Sequence, residues 1–230
     1  MTGADGAVLS TVLDTGAGLV RRLAVVPPGE RFDGVAGAGG ELWFVIAGTG
    51  VLASGGGADR PVRADTGVWL PPGAGYELRA GAAGELRLDS VVLPAGGAGA
   101  GGAAGAGSAV EAGGAAVLSE LASREAEVTG DRRFRVLFGP GLGCEAATQF
   151  EGEIPPGRAP EHFHPYDEVV LILAGQGVLH AGGRDSPLAP GNCVHLPPGR
   201  SHCLENTGPA TLRVLGVFHP GGSPAAKTTG

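Results

Sequence analysis

The feature that most limits how this chain can fold is an internal repeat. Residues 41–52 read ELWFVIAGTGVL, and residues 168–179 read EVVLILAGQGVL. Each copy lies between two Pro-Pro-Gly triplets, which occupy residues 27–29 and 71–73 in the first half and 155–157 and 197–199 in the second. Both halves also open with Ala-Val-Leu-Ser, at residues 7–10 and 116–119. Self-similarity at this spacing predicts two tandem copies of one fold.

A glycine- and alanine-rich tract separates the two copies. It reads AGGAGAGGAAGAGSAVEAGGA and holds 9 of the 45 glycines of the 230-residue chain. Such a composition cannot bury enough apolar surface to offset the entropy of ordering, so it predicts a flexible linker. The predicted organisation is a first domain over residues 7–94, a linker over 95–115 and a second domain over 116–222.

Short apolar runs between Gly and Pro turns predict an all-β protein. Runs such as VVLILA, CVHL and TLRVLGVF have the length and β-branched content of strands. A short helix is predicted over residues 118–127, with Ser119 as its N-cap. An arginine pair stands in each half, at 21–22 and 132–133, and the extra residues after the second pair predict an added hairpin around residues 139–141.

Charge and composition exclude several classes of function. The net charge is −7 without a basic stripe, which argues against a nucleic-acid partner. The longest apolar run, residues 169–174, is too short to cross a bilayer, and the N-terminus has no signal-peptide pattern. The three cysteines follow no zinc or redox spacing. We therefore expect a cytoplasmic protein without a membrane partner.

A histidine cluster in the second half predicts a metal site. His162 and His164 are two residues apart, so on a strand their side chains share a face. Glu168 follows after a bend, and His202 follows the last Pro-Pro-Gly turn. Three imidazoles and one carboxylate suit one divalent first-row ion (Mn, Fe, Co, Ni, Cu or Zn) and leave one or two coordination positions open. Open positions are typical of a catalytic site.

These spacings resemble the two motifs of the cupin superfamily. The first motif matches Gly157, His162, His164, Glu168 and Gly175, with a leading gap of four residues where five is usual. The second motif matches Gly191, Pro197, Gly199, His202 and Asn206. The resemblance implies two tandem β jelly-roll barrels, the second with a metal inside it. It assigns the ligand role to His162, His164, Glu168 and His202, and a packing or turn role to Asn206.

The first half resembles a degenerate cupin. It keeps Glu41 and Gly48, and its second motif keeps Gly67, Pro71 and Gly73. The paired histidines are replaced within residues 35–40, and the last histidine aligns with Tyr76. One carboxylate and a phenol hold a divalent cation poorly, so we expect a barrel without a metal site. Glu41 is expected to be a hydrogen-bonded structural residue, because a buried carboxylate needs partners.

Further side chains are candidates for the pocket, although strand register is needed to decide which face each one takes. The candidates for an acid–base, polar or rim position are His180, His195, Gln149 and Tyr166. Arg133 and Arg135 are candidates for binding a substrate carboxylate, with a solvated strand face as the alternative.

Two classes of function remain open. The resemblance favours a metal-dependent enzyme acting on a small polar metabolite by dioxygenation, decarboxylation, isomerisation or hydrolysis. The alternative is a non-catalytic protein that binds or senses a small molecule. Barrels of this kind often assemble further, so both a monomer and a homodimer are expected states.

Overall fold

The computed structural model describes residues 6–96 and 113–225. The chain divides into two compact units, residues 1–122 and 123–230. Strands make up 56% of the protein and helix 1%, so the predicted all-β class is confirmed. Most of the predicted linker lies outside the described residues. Within the described ranges, no helix has the length and hydropathy needed to span a bilayer.

The first unit is built from two antiparallel sheets. Its strands are β1 (Val8–Asp14), β2 (Val20–Val26), β3 (Arg31–Val35), β4 (Glu41–Ala47), β5 (Thr49–Ser54), β6 (Arg60–Arg63), β7 (Thr66–Leu70), β8 (Gly75–Ala80), β9 (Leu86–Val92) and β10 (Val117–Glu120). One sheet has the order β1-β2-β9-β4-β7-β10, and the other has the order β3-β8-β5-β6. Buried apolar side chains from both sheets form one core, as in a jelly roll.

The second unit repeats this plan after a 3-10 turn at Leu121–Ser123. Its strands are β11 (Glu127–Thr129), β12 (Arg132–Phe138), β13 (Thr148–Ile154), β14 (Gly157–Arg158), β15 (Asp167–Ala174), β16 (Gly177–Ala181), β17 (Arg184–Leu188), β18 (Cys193–Leu196), β19 (His202–Asn206) and β20 (Leu212–His219). The sheet orders are β11-β12-β13-β20-β15-β18 and β14-β19-β16-β17. Each central strand of one unit therefore has a counterpart in the other.

The same backbone geometry favours glycine in the Ala-Gly-X-Gly segment of both units. Gly48 and Gly175 adopt φ values of 86° and 87°, in the left-handed region that favours glycine. A Cβ at Gly175 would also lie 2.8 Å from both the Thr211 carbonyl oxygen and the Leu212 Cα. The segment thus turns β4 into β5 and β15 into β16, where a neighbouring backbone passes close by.

Three details of the chain's organisation differ from the sequence prediction. The second barrel was expected to begin at residue 116, but residues 117–120 form β10 and pair with β7 of the first unit. The predicted helix over residues 118–127 is therefore wrong: it is replaced by β10 and the 3-10 turn. The hairpin around residues 139–141 connects β12 to β13, and it corresponds to the β1–β2 hairpin rather than being an addition.

Candidate metal centre

Backbone hydrogen bonds bring the two cupin motifs of the second unit together. The segment of His162 and His164 runs beside the start of β19, and His162 forms an antiparallel bridge with His202. The His162 N–H donates to the His202 carbonyl at 3.0 Å, and the His202 N–H donates back to His162 at 2.8 Å. The Gly199 N–H donates to the His164 carbonyl at 2.8 Å. Residues 40 positions apart in sequence are thereby fixed side by side.

The four predicted ligands converge at one point. The nearest ligating nitrogens of the three histidines all lie within 4.8 Å of one another. The Glu168 side chain, at the start of β15, places Oε2 3.7 Å from His164 Nε2 and 3.8 Å from His202 Nε2. All four residues are buried. An ion bound at about 2.0–2.2 Å from each ligand atom would separate neighbouring ligand atoms by roughly 3–4 Å, so the donor set fits a first-row cation.

Hydrogen bonds to the backbone orient two of the imidazoles. His162 Nδ1 lies 3.3 Å from the Pro160 carbonyl oxygen, and His202 Nδ1 lies 2.8 Å from the Arg200 carbonyl oxygen. With the proton on Nδ1, each ring presents the Nε2 lone pair to the cluster, the usual arrangement for a metal-binding histidine. Burial lowers the pKa of His202. The ring is thus held in the neutral form that can bind a cation.

Aromatic rings support the cluster from one side. The Tyr166 ring stacks on His164 with a centroid distance of 5.2 Å, and it contacts Phe218 at 4.4 Å. The Tyr166 hydroxyl donates to the Ser223 carbonyl at 2.8 Å. Burial raises the pKa of Tyr166, with Glu168 adding to the effect. Tyr166 therefore acts as a neutral support behind His164 and as an anchor for the segment after β20.

The cluster opens into a cavity of about 70 Å³ in the second unit. Its walls are mainly apolar and include Phe134, Phe150, Ile154, Val170, Leu204 and Phe218. The charged or titratable side chains of the described lining are the four candidate ligands with Arg132 and Arg133. This combination of a polar point and an apolar wall is typical of a small-molecule site.

The structure places the two histidine candidates outside this cavity. The His180 ring lies between two carboxylates, with Nδ1 2.6 Å from Asp185 and Nε2 2.8 Å from Glu205. These hydrogen bonds, that to Glu205 first, raise the pKa of His180. His195 Nε2 lies 2.8 Å from Asp167. Neither candidate is among the described residues that line the cavity.

Strand alternation explains the other misplaced candidates. Phe150 and Gly152 of β13 line the cavity, so Gln149 takes the opposite face, where it is fully buried. On β12, Phe134 faces the cavity, whereas Arg135 donates to Glu153 at 2.7 Å. Sequence reasoning missed Arg132, which lines the cavity two positions before Phe134. The period-2 pattern from Phe134 was the signal that could have found it.

Asn206 and Glu41 have the structural roles expected of them. The Asn206 Nδ2 donates to the Ile154 and Ala210 carbonyls, at 2.9 and 2.7 Å, and holds the ends of β13 and β19. In the first unit, Glu41 Oε2 accepts hydrogen bonds from Trp43 Nε1 at 3.0 Å and Ser90 Oγ at 3.2 Å. The buried Glu41 carboxylate is therefore satisfied by neighbouring donors.

Comparison with known proteins agrees with this geometry. Residues 150–218 match the family model for the cupin domain. An oxalate-binding protein from Thermotoga maritima is 39% identical over 68 residues, which are 29% of this chain and 56% of that protein. The match thus spans little more than half of the relative's length. The family match lies entirely within the second unit.

Solved structures extend the likeness to the whole chain. A variant of oxalate decarboxylase from Bacillus subtilis superposes with a TM-score of 0.74 at 14% identity, over 100% of this chain and 76% of the other. A cupin 2 conserved barrel domain protein from Leptotrichia buccalis gives 0.63 at 14% identity, over 95% and 91% of the two chains. At this identity the likeness shows the fold. The chain therefore has the fold of two tandem jelly-roll barrels.

Proposed function

We propose that the second barrel binds one divalent first-row transition metal through His162, His164, Glu168 and His202. The observation that carries the proposal is the convergence of these four buried side chains at the end of a cavity. The donor set is mixed nitrogen and oxygen, which most first-row ions accept, so it leaves the choice among them open. A bound metal would supply Lewis-acid activation of a ligand oxygen at its open positions.

We further propose an enzyme that acts on a small metabolite bearing a carboxylate. The names of two relatives, an oxalate-binding protein and an oxalate decarboxylase, support a carboxylate ligand. The chain's own residues support it through the apolar walls, which exclude water from the cluster and strengthen its electrostatics. His162 and His202 keep their protons on Nδ1, so their Nε2 atoms remain available to the metal.

One observation favours a second candidate, a metal-dependent binding or sensing protein. In the described lining of the cavity, every carboxylate and imidazole belongs to the candidate metal ligands. A general acid or base would have to lie within hydrogen-bonding reach of the substrate. A protein that only retains its ligand needs no such group.

Elemental analysis after reconstitution tests the metal proposal. The wild type is expected to hold about one ion per chain. His162→Ala and His202→Ala are expected to hold almost none, because each variant lacks one of the four proposed ligands. His195→Ala is the matched control: it removes a histidine of the same unit that lies outside the cluster, and it should keep the ion. Equal metal content in all four proteins would contradict the proposal.

A panel of small carboxylates then separates the two classes. Each acid is incubated with the metal-loaded protein, and products are followed by mass spectrometry while binding is followed by calorimetry. Turnover that disappears in His162→Ala would support the enzyme. Saturable binding of an acid without any product would support the binding protein.

A further inference from the structure

The cavity of the second barrel has a second polar end at Arg132. Arg132 and Phe134 alternate on β12, so both side chains face the barrel interior. The Arg132 side chain is only 12% exposed, whereas its neighbour Arg133 is an exposed residue. Thr129, paired with Arg132 across the β11–β12 ladder, lines the same end. A guanidinium at this depth is a strong polar feature in a largely apolar wall.

The described residues satisfy only part of the hydrogen-bonding capacity of the Arg132 guanidinium. Its Nη2 donates to the Leu204 carbonyl oxygen at 2.6 Å. Its Nε lies 4.0 Å from Asp131 Oδ1, beyond hydrogen-bonding distance, and is buried without an acceptor among the described atoms. Asp131 is 71% exposed, so solvent screens its charge. Burial lowers the pKa of Arg132, which shows that its surroundings oppose the positive charge.

The two polar ends of the cavity are separated by apolar surface. Arg132 is hydrogen-bonded to the Leu204 carbonyl oxygen. Leu204 lies two residues beyond His202 on β19, and two residues of extended chain span about 7 Å. Leu204 and Phe134 form the wall between the ends. A ligand that touches both ends must therefore carry an apolar segment between two oxygen-bearing groups.

We propose that this cavity binds an elongated acid, with one carboxylate paired to Arg132, an apolar middle against Leu204 and Phe134, and an oxygen-bearing group at the four-ligand cluster. The inference rests on the proposed metal function and narrows its ligand class. Arg132 is then a specificity-determining residue. Oxalate, whose carboxylates are joined directly, is too short to reach both ends.

Calorimetry on manganese-loaded, full-length protein tests this with linear dicarboxylates from oxalate to adipate and with hexanoate, which keeps the chain length of adipate but has only one carboxylate. Affinity is expected to rise from oxalate to the longer acids. Hexanoate should bind the wild type about ten- to 100-fold more weakly than adipate, the effect of losing a charge-assisted hydrogen bond. Arg132→Gln should bind adipate about as weakly as the wild type binds hexanoate and no longer distinguish the two acids.

Further measurements distinguish a ligand-binding role of Arg132 from a purely structural role, in which it only donates to the Leu204 carbonyl oxygen. Metal content and thermal unfolding of Arg132→Gln are compared with the wild type, and Arg132→Lys keeps a donor for Leu204 if the glutamine variant does not fold. Arg184→Gln, which removes the same charge from an exposed residue of the same unit outside the cavity lining, should change diacid affinity by no more than about twofold, because solvent screens its charge.

The outcomes are distinguishable. If the wild type takes up no metal, the proposed function fails and this inference falls with it. If metal is bound but Arg132→Gln and the wild type bind adipate equally, or the wild type does not distinguish adipate from hexanoate, this inference alone is wrong. It is also wrong if oxalate binds best, or if Arg184→Gln produces the same loss as Arg132→Gln.

Discussion

The two barrels share a scaffold but differ in what fills its interior. Glu41 and Glu168 hold the same register: Glu41 pairs with Leu70 and Val92, and Glu168 pairs with Leu196 and Phe218. In the second barrel, imidazoles surround the carboxylate. In the first barrel, an indole and a hydroxyl donate to it. The same glutamate thus serves two local chemistries, and its presence alone does not indicate a metal site.

The partners of the glutamate differ at three matched positions. Gly34 pairs with Tyr76 as His162 pairs with His202, and Ala36 accepts from Gly73 as His164 accepts from Gly199. The first barrel thus has no imidazole where the second has three. Its space is filled by the rings of Phe32, Trp43 and Tyr76, which are 4.6–6.3 Å apart. Burial raises the pKa of Tyr76, so the phenol stays neutral.

The largest expected difference between the two barrels is the effect on metal affinity of replacing each glutamate with glutamine. Glu168→Gln removes the only carboxylate of the proposed four-ligand cluster, and metal affinity should fall by at least about 100-fold, beyond the range seen when supporting residues are changed. Glu41→Gln should leave metal affinity unchanged and cost about 1–3 kcal/mol of stability through altered hydrogen bonds. Metal titration with a competing chelator measures the first effect. An equal loss in both variants would contradict the assignment of the site to the second barrel.

Removing a buried aromatic side chain from the first barrel should reduce the free energy of unfolding more than removing the matched apolar side chain from the second barrel. Trp43→Ala removes a buried side chain that contacts Tyr76 and donates to Glu41, and we expect a loss of about 3–5 kcal/mol. Val170 holds the same register in the second barrel, and Val170→Ala should cost about 1–2 kcal/mol. Urea unfolding followed by Trp69 fluorescence reports the first unit, and circular dichroism reports both. A smaller loss at Trp43 than at Val170 would count against a packed aromatic core.

The third prediction concerns Asn206, whose register counterpart in the first barrel is Ala80. Asn206→Ala leaves the Ile154 and Ala210 carbonyls without their donor and should cost about 1–3 kcal/mol. Metal content should not change, because the amide of Asn206 is already hydrogen-bonded to backbone groups outside the cluster. Asn192→Ala, which removes one exposed turn contact, is the control and should cost no more than about 1 kcal/mol. Loss of metal without loss of stability would make Asn206 a ligand after all.

The smallest expected effect is a pH dependence confined to the second barrel. Hydrogen bonds to Glu205 and Asp185 raise the pKa of His180, while Arg158 opposes them. The stabilisation is therefore complete below the unfolded pKa of about 6.5 and is lost as pH rises through the folded pKa.

The difference in stability between the wild type and His180→Gln should shrink as pH rises above about 6.5. Unfolding curves at several pH values measure it. Burial lowers the pKa of His202 and His219, whose contributions have the opposite sign, so only the difference isolates His180. The fluorescence of Trp43 and Trp69, which both lie in the first unit, serves as the control, because Ala53 stands at the position matched to His180. A difference that grows with pH would contradict the assigned ion pairs.

The sequence predicted the fold and the cluster for one reason: turn glycines and prolines fix where strands begin. His162 and His202 follow such turns, so their spacing carries three-dimensional information. Gln149 and His180 lie inside strands, where a shift of one residue reverses the face, and no local signal sets that register. The second Ala-Val-Leu-Ser predicted the start of the second barrel, but this strand pairs with β7 of the first unit. Tertiary contacts choose the partner of a strand, and the four residues of the strand do not determine that choice.

The close approach of Gly34 to Tyr76 restricts the order in which the first barrel could acquire histidines, by evolution or by design. A Cβ at Gly34 would lie 2.6 Å from the Tyr76 hydroxyl oxygen, so any side chain there collides with the ring. Substitution of Tyr76 must therefore come first, and by itself it opens a gap beside Trp43 and Phe32. The first substitution alone is therefore expected to destabilise the first barrel, so both positions must change for a histidine pair to be accommodated.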